Sequence, residues 1–518
     1  MTADHRGQQD RQPDHLSRWF AQHGIHLHPD VHVRRDPQTG LGLYATAPLP
    51  EPTQILSVPA RMCISSPSAR SAIGRVFGST DSPALSHDKW AIFYIFLVRL
   101  LLLHVDSADG ASHDDAAHRG DLHDHIGYVR SLPRSVPIPL LFRRRELDLL
   151  AATPLHGATL DKLRQTDEEH DTILKWLHGW RTSVQPGSTG SAILDGLDRL
   201  VDRAATLSLY RWSNAVSLSR AFPPTLLPSL SPDDGPVLIP ALDLPNHARS
   251  MPVTWSAQPA SPPCTGPDNG DAGDARVVFT TRYPIAATSE VLNNYGPKSN
   301  EELLGSYAFV LPGGQDDFLT LKLGQRQGDA GEEGAEGEAK RHQLEAGTYR
   351  WLRSSSAPPP GLIDEVRARI QLAAPDPAPR SSSPPQKFED DEREREREVE
   401  ELELHGETLE TLEVLLVQKR KSFRTIQAQI EEMLVRIPPQ ETGEEEEGEA
   451  DEDAPVRRKV WDMVDVYRQG QLTILNQAIK WTRSQLEIVA DKLDQLDPAP
   501  NSDDDDDDDD DDDEMQGA

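Results

Sequence analysis

The sequence predicts an α+β fold in which a long helical insertion separates two groups of short strands, followed by an all-α carboxyl-terminal domain. Three observations carry this. Apolar residues alternate in short runs before residue 64 and again after residue 237. The stretch between them has helical spacing. Beyond residue 400, Leu409, Leu412, Leu416, Phe423, Ile426, Ile430 and Met433 recur at intervals of three, four and seven.

Order is expected to begin near Leu16–Phe20, after a polar start. Val31–Val33, Gly40–Ala45 and Gln54–Val58 alternate as strands, with Pro48, Pro50 and Pro52 in the turns. Ala91–Leu103 is the most apolar run and contains Arg99. It is shorter than the roughly 20 residues of a membrane span, so it predicts a buried core helix and no membrane partner. Arg143–Thr153, Thr159–Trp180 and Ile193–Leu218 are expected as further helices. Val237–Ile239, Val253–Trp255, Arg276–Thr280 and Glu290–Asn293 are expected as strands, and Ser299–Phe309 as a helix with a cap-like start. Val460–Ala490 predicts a second long carboxyl-terminal helix, a partner surface for a coiled coil or a domain packing on itself.

The 518 residues hold 53 basic and 86 acidic side chains, a formal charge of −33. Phosphate backbones require a basic face, so direct nucleic-acid binding is not expected. Twelve consecutive acids run from Asp503 to Glu514, and eight more lie between Glu444 and Asp453. Such blocks repel and bury no apolar area, which predicts disorder there. They serve either as solubilising segments or as attraction for a basic protein. Cys63 and Cys264 are the only cysteines. A cysteine-based zinc site and a disulfide framework are excluded, and a reducing compartment, cytoplasm or nucleus, is expected. The histidines His104, His113, His118, His123 and His125 lie in a low-complexity insertion and predict a surface loop rather than a metal site.

Four segments bear on chemistry. Gly40, Leu41 and Gly42 form a strand turn that serves either backbone geometry or close approach to a ligand. Arg220 ends an apolar helix, where it either lies along the surface or clamps a carboxylate. Asp243, Asn246 and His247 occupy a turn after a strand, and the first two are common turn formers. Tyr295 precedes Gly296 and a capped helix bearing Tyr307 and Phe309, and by itself would pass for a core residue.

In this order, with the helical block between the first and third, the segments resemble the SET-domain protein methyltransferases. The subgroup is the one similar to Rubisco large-subunit lysine methyltransferase, which includes fungal ribosomal-protein lysine methyltransferases. The resemblance covers roughly residues 25–325. It implies a SET β-fold with its pseudoknot and S-adenosyl-L-methionine as cofactor. Gly40, Leu41 and Gly42 match the segment whose backbone meets the cofactor, and Arg220 the arginine near its carboxylate. Asn246 and His247 match the pseudoknot pair, and Tyr295 the catalytic tyrosine. Tyr307 and Phe309 match aromatics of the lysine channel and the adenine side, and Asp243 is placed facing the substrate. The sequence departs from the pattern at Ala248, Thr39 and Pro245.

These matches divide the chain into a polar segment (1–24) and a SET domain (25–310) with a helical insertion at about 75–235. A helical substrate-binding-like domain with linkers (316–496) and an acidic tail (497–518) follow. The implied activity is protein-lysine N-methylation of a non-histone, basic protein, possible substrates including ribosomal proteins, by a monomer. The alternatives are protein-histidine methylation, which the subgroup also contains, and a catalytically silent interaction module.

Overall fold

The computed structural model describes residues 12–78, 83–107, 121–200, 202–259, 274–323, 347–373, 389–440 and 454–496. The acid-rich blocks, His113, His118 and Cys264 lie outside the described residues. By its contacts the chain forms two units, Met1–Asp317 with Ile426–Gly470, and Phe318–Thr425 with Gln471–Ala518.

The first unit opens with a helix, Gln12–Gln22, that buries Leu16, Trp19 and Phe20. It starts four residues earlier than its apolar face alone indicates. Strands β1 (His26–Leu27), β2 (Val31–Asp36), β3 (Gly40–Ala45) and β4 (Thr53–Pro59) follow. Later strands are β5 (Ala221–Phe222), β6 (Val237–Leu238), β7 (Val253–Gln258) and β8 (Arg276–Thr281). The central sheet has the order β1-β4-β8-β7, while β2 pairs with β3 and β5 with β6. Every named pair is antiparallel. Strands distant in sequence therefore meet only because the helical block between them folds back.

That block is built on the helix Trp90–Val105, whose buried residues occupy almost every position from Trp90 to Leu102. A helix apolar all round must lie inside a core. Another helix, Thr189–Asp198, approaches it at Gly196, where an added Cβ would stand 2.0 Å from the Leu100 carbonyl oxygen. Only glycine permits that approach. The expected helix Ile193–Leu218 is instead two, Thr189–Asp198 and Arg203–Arg220. Asp202 breaks it by capping the second, accepting from the Ala205 amide at 2.9 Å. Among the described residues no helix is long and apolar enough to cross a membrane.

His170, on the helix Pro154–Trp180, is buried, with Nε2 3.0 Å from Thr206 Oγ1. Burial, reinforced by the nearby Arg203, pushes its pKa down to about 4. The unfolded chain then binds a proton between roughly pH 6.5 and 4 that the folded chain refuses. Stability is full above that window and falls as pH drops through it, by up to about 3 kcal/mol. His170→Gln is expected to flatten this slope in pH-dependent urea unfolding; an unchanged slope would exclude His170 as its source.

In the second unit β9 (Phe318–Lys322) and β10 (Thr348–Leu352) form an antiparallel hairpin. Helices Leu362–Ala373, Glu389–Arg436 and Arg458–Leu496 complete the described carboxyl-terminal part. Its core includes Leu412, Leu416, Ile474, Leu475 and Trp351. Within the stretch 316–496 expected as carboxyl-terminal, Ile426–Gly470 groups by its contacts with the first unit. The reason is packing: Ile430, Val456, Val460, Met463, Val464 and Tyr467 bury themselves with Phe142, Leu149, Leu150, Leu155 and Leu304.

Candidate functional site

After β6 the chain runs through Asp243 to Asn246 and His247, and this turn meets the segment Glu290–Tyr295. Glu290–Asn293 is not a regular strand; it joins its neighbours by isolated bridges, Tyr44 to Glu290 and His247 to Asn293. The second bridge is parallel. The Asn293 amide donates to the Asn246 carbonyl at 2.7 Å, and the Ala248 amide to the Asn293 carbonyl at 2.9 Å. The side chain of Asn293 is fixed in turn by the Trp255 indole N–H at 3.1 Å. Two loops far apart in sequence are thus locked side by side.

β3 lies against them. A Cβ on Gly42 would stand 3.0 Å from Glu290 Oε1 and 3.6 Å from Asn246 Nδ2. A side chain there would crowd both polar groups. Gly40 adopts φ +85°, a turn conformation suited to glycine. Asn246 Nδ2 donates to Glu290 Oε1 at 2.6 Å.

Tyr295 connects the locked loops to an aromatic cluster. Its ring stacks on His247 with centroids 5.0 Å apart and lies 5.2 Å from that of Tyr307. Phe309 lies 6.0 Å from His247 and 6.4 Å from Tyr307. The Tyr295 amide donates to His247 Nδ1 at 3.1 Å, which makes that nitrogen an acceptor and the ring neutral. Burial, followed by the charge of Arg249, lowers the His247 pKa in keeping with this. Burial raises the Tyr295 pKa, so its hydroxyl stays protonated, donating to the Pro245 carbonyl at 3.1 Å.

The expected helix is not a regular α-helix: Tyr307 ends a π-helix and Phe309 lies beyond it. A capping box at Ser299 starts a three-residue α-turn, Asn300–Glu302, and the chain then widens into a π-helix, Leu303–Tyr307. Ala308, in the left-handed conformation, ends it. Asn300 pins the far side, its amide donating to Asp317 Oδ1 at 2.7 Å and its Oδ1 accepting from Leu311 N at 2.7 Å. π-turns of this kind recur at functional sites.

Arg220 Nη1 pairs with Asp243 Oδ2 at 2.9 Å, and Tyr128 donates to the same oxygen at 3.1 Å. The Asp243 side chain is only 1% exposed, so it stands behind Arg220 rather than out in the cleft. Its Oδ1 is buried without a partner. The sequence-predicted residues Gly42, Asn246, His247, Tyr295, Tyr307 and Phe309 are thus linked by direct contacts, and Arg220 and Asp243 by their ion pair. Three contributors escaped the sequence reading: Glu290, Asn293 and Tyr128. Glu290 and Asn293 sit in a run that only looked strand-like, and Tyr128 follows a low-complexity insertion, so no local signal marked them. Among the described residues no group of three or more His, Cys, Asp or Glu is placed to hold a metal ion.

This is the SET-domain fold. A crystal structure of the SET domain of LSMT bound to lysine and AdoHcy superposes with a TM-score of 0.56 at 18% identity, covering 94% of this chain and 93% of that one. In sequence the chain is 30% identical over 198 residues to ribosomal lysine N-methyltransferase set10 of Schizosaccharomyces pombe, 38% of this chain and 30% of the relative. It is 24% identical over 325 residues to the actin-histidine N-methyltransferase of Drosophila melanogaster, 61% of this chain and 52% of the relative. The chain therefore spans about half or less of the length of these relatives. No protein-family model matches.

Proposed function

We propose that this chain is an S-adenosyl-L-methionine-dependent protein-lysine N-methyltransferase acting on a non-histone protein, a ribosomal protein being the substrate class its relatives favour. The observation that carries the reading is the side-by-side pairing of the Asn246–His247 turn with the Tyr295 segment, against β3 at Gly42, where a side chain would crowd Glu290 and Asn246. The residues fit the cofactor: Gly42 keeps a backbone-lined cradle, and Arg220 and Asn246 flank the same turn. Gly40, Leu41, Gly42, Asn246 and His247 would hold it, with Phe309 beside its base. When bound, it supplies a methyl group activated on a sulfonium.

The chain's own residues then have to present a neutral amine. A lysine side chain has an ordinary pKa near 10.4 and must lose its proton before attack. The rings of Tyr295, Tyr307 and Phe309 form an apolar lining that disfavours the ammonium form. Tyr295, whose proton is held by the Pro245 carbonyl, presents its oxygen at a fixed point as an acceptor for the amine N–H, and alignment of two reactants provides most of the remaining acceleration. The acidic balance of the chain supports a basic protein substrate and opposes nucleic acid. A monomer in the cytoplasm or nucleus completes the reading.

Protein-histidine methylation is the second reading, favoured by the longer match to the actin-histidine enzyme. Incubation with labelled cofactor and purified ribosomal proteins or actin, followed by mapping of the labelled residue, separates the two. Label on a ribosomal lysine supports the first; label confined to an actin histidine replaces it. Asn246→Ala is expected to weaken cofactor binding by roughly 10- to 100-fold in calorimetry, the scale of one lost buried hydrogen-bonding group. Unchanged affinity in the folded variant would leave the turn with a structural role only.

A further inference from the structure

Glu290 is a half-buried carboxylate at the centre of the site. Its Oε1 is bound by Asn246 and lies against the bare backbone of Gly42. Among the described residues no Lys, Arg or His forms an ion pair with it. Arg220, the arginine at the adjoining turn, is already engaged by Asp243, and Arg34 lies over the Tyr44 ring. A partly desolvated carboxylate without a counter-ion is unfavourable unless a cation arrives.

We infer that Glu290 is a cofactor-recognition residue whose carboxylate receives the α-ammonium group of S-adenosylmethionine. This rests on the cofactor reading above. The cofactor carries two positive centres, and only one has N–H donors. A carboxylate gains most from a donor that is itself charged, whereas a sulfonium offers no hydrogen to accept. The sulfonium must also face Tyr295, where the methyl group leaves, while the contacts of Glu290 are with Gly42 and Asn246. The ammonium is therefore the group that matches this carboxylate. Asn246 orients Glu290 and is oriented by it, so one hydrogen bond couples the turn to the recognition of the cofactor's amino-acid end.

The test uses Glu290→Gln, which keeps an acceptor oxygen for Asn246 and removes only the charge. Calorimetric titrations of the full chain compare S-adenosylmethionine, S-adenosylhomocysteine and the analogue of S-adenosylhomocysteine with hydrogen in place of the α-amino group. Glu290→Gln is expected to weaken the first two alike, roughly 10- to 100-fold. The deaminated analogue should bind the wild-type chain about as weakly, and lose nothing further in the variant. Loss for S-adenosylmethionine alone would assign Glu290 to the sulfonium and overturn the inference. Equal loss for the deaminated analogue would reduce Glu290 to a support for Asn246. Wild-type protein that binds the deaminated analogue and S-adenosylhomocysteine equally would overturn it even if the variant failed to fold. If wild-type protein bound none of the three, the cofactor reading itself would fall, whereas wild-type binding with an unaffected variant removes only the role of Glu290.

Discussion

Tyr295→Phe is expected to lower turnover by on the order of 10²-fold or more while leaving cofactor affinity nearly unchanged. The substitution removes one oxygen. The ring keeps its stack on His247 and its contact with Tyr307, so the aromatic cluster retains its shape. The hydrogen bond to the Pro245 carbonyl is lost, at a cost of about 1 kcal/mol in stability. Burial holds the hydroxyl in its protonated form, which rules out a general-base role at neutral pH, and with the proton directed to the Pro245 carbonyl it leaves the oxygen as an acceptor for the amine N–H. An acceptor preorganised at the reacting centre, where positive charge develops on the amine, acts mainly on the transition state. The signature is a collapsed turnover number with near-normal calorimetric binding. Wild-type turnover in Tyr295→Phe would remove Tyr295 from the catalytic machinery.

The residues that form this site were legible because their signals are local. A turn with Asp243, Asn246 and His247 after a β-run, and a tyrosine before glycine and a capping serine, stand out in a few residues of sequence. Glu290 did not stand out, because its meaning lies in Asn246 and Gly42, both distant along the chain. The π-helix was hidden for a related reason. Leu303–Tyr307 reads locally as the end of a short helix, and its widening is bounded by Ala308 and by the contacts of Asn300 with Asp317 and Leu311.

Most strands fell where apolar alternation placed them, whereas the helix carrying Leu409–Met433 runs from Glu389 to Arg436, well beyond its apolar stripe. Periodicity names a buried face without naming what covers it. Leu412 and Ile430 belong to one amphipathic stripe, yet they pack into different cores. The break before Arg203 was readable in principle, since Asp202 precedes Arg203-Ala-Ala205 as a capping residue does. The continuous apolar pattern across it masked the cap.

Glu146→Ala is expected to cost about 3–5 kcal/mol of stability, the usual scale for orphaning one member of a buried ion pair. Glu146 is fully buried, with a side-chain exposure of 0%, and faces Arg457. Its Oε1 accepts from Arg457 N and Nε, both at 2.9 Å, and its Oε2 from Arg457 Nη2 at 2.8 Å and Arg143 N at 2.9 Å. Truncation to alanine removes the acceptor for all four donors at once. It strands a guanidinium where water is scarce, so the penalty exceeds that of the lost attraction alone. Glu146→Leu with Arg457→Met should lose less than Glu146→Ala, because no charge remains unpaired. Urea unfolding of the three proteins measures this directly, and a single variant as stable as the double one would show that the pair is not the anchor. The consequence extends to the site. Arg457 leads into Val460, Met463, Val464 and Tyr467, which share a core with Leu304 of the π-helix. Tyr467 donates to Glu301 at 2.8 Å, at the start of the segment that presents Tyr307. Loosening the anchor should therefore weaken the hold on Tyr307, and Glu146→Ala should lower turnover at temperatures where the chain is still folded, whereas the double variant recovers it.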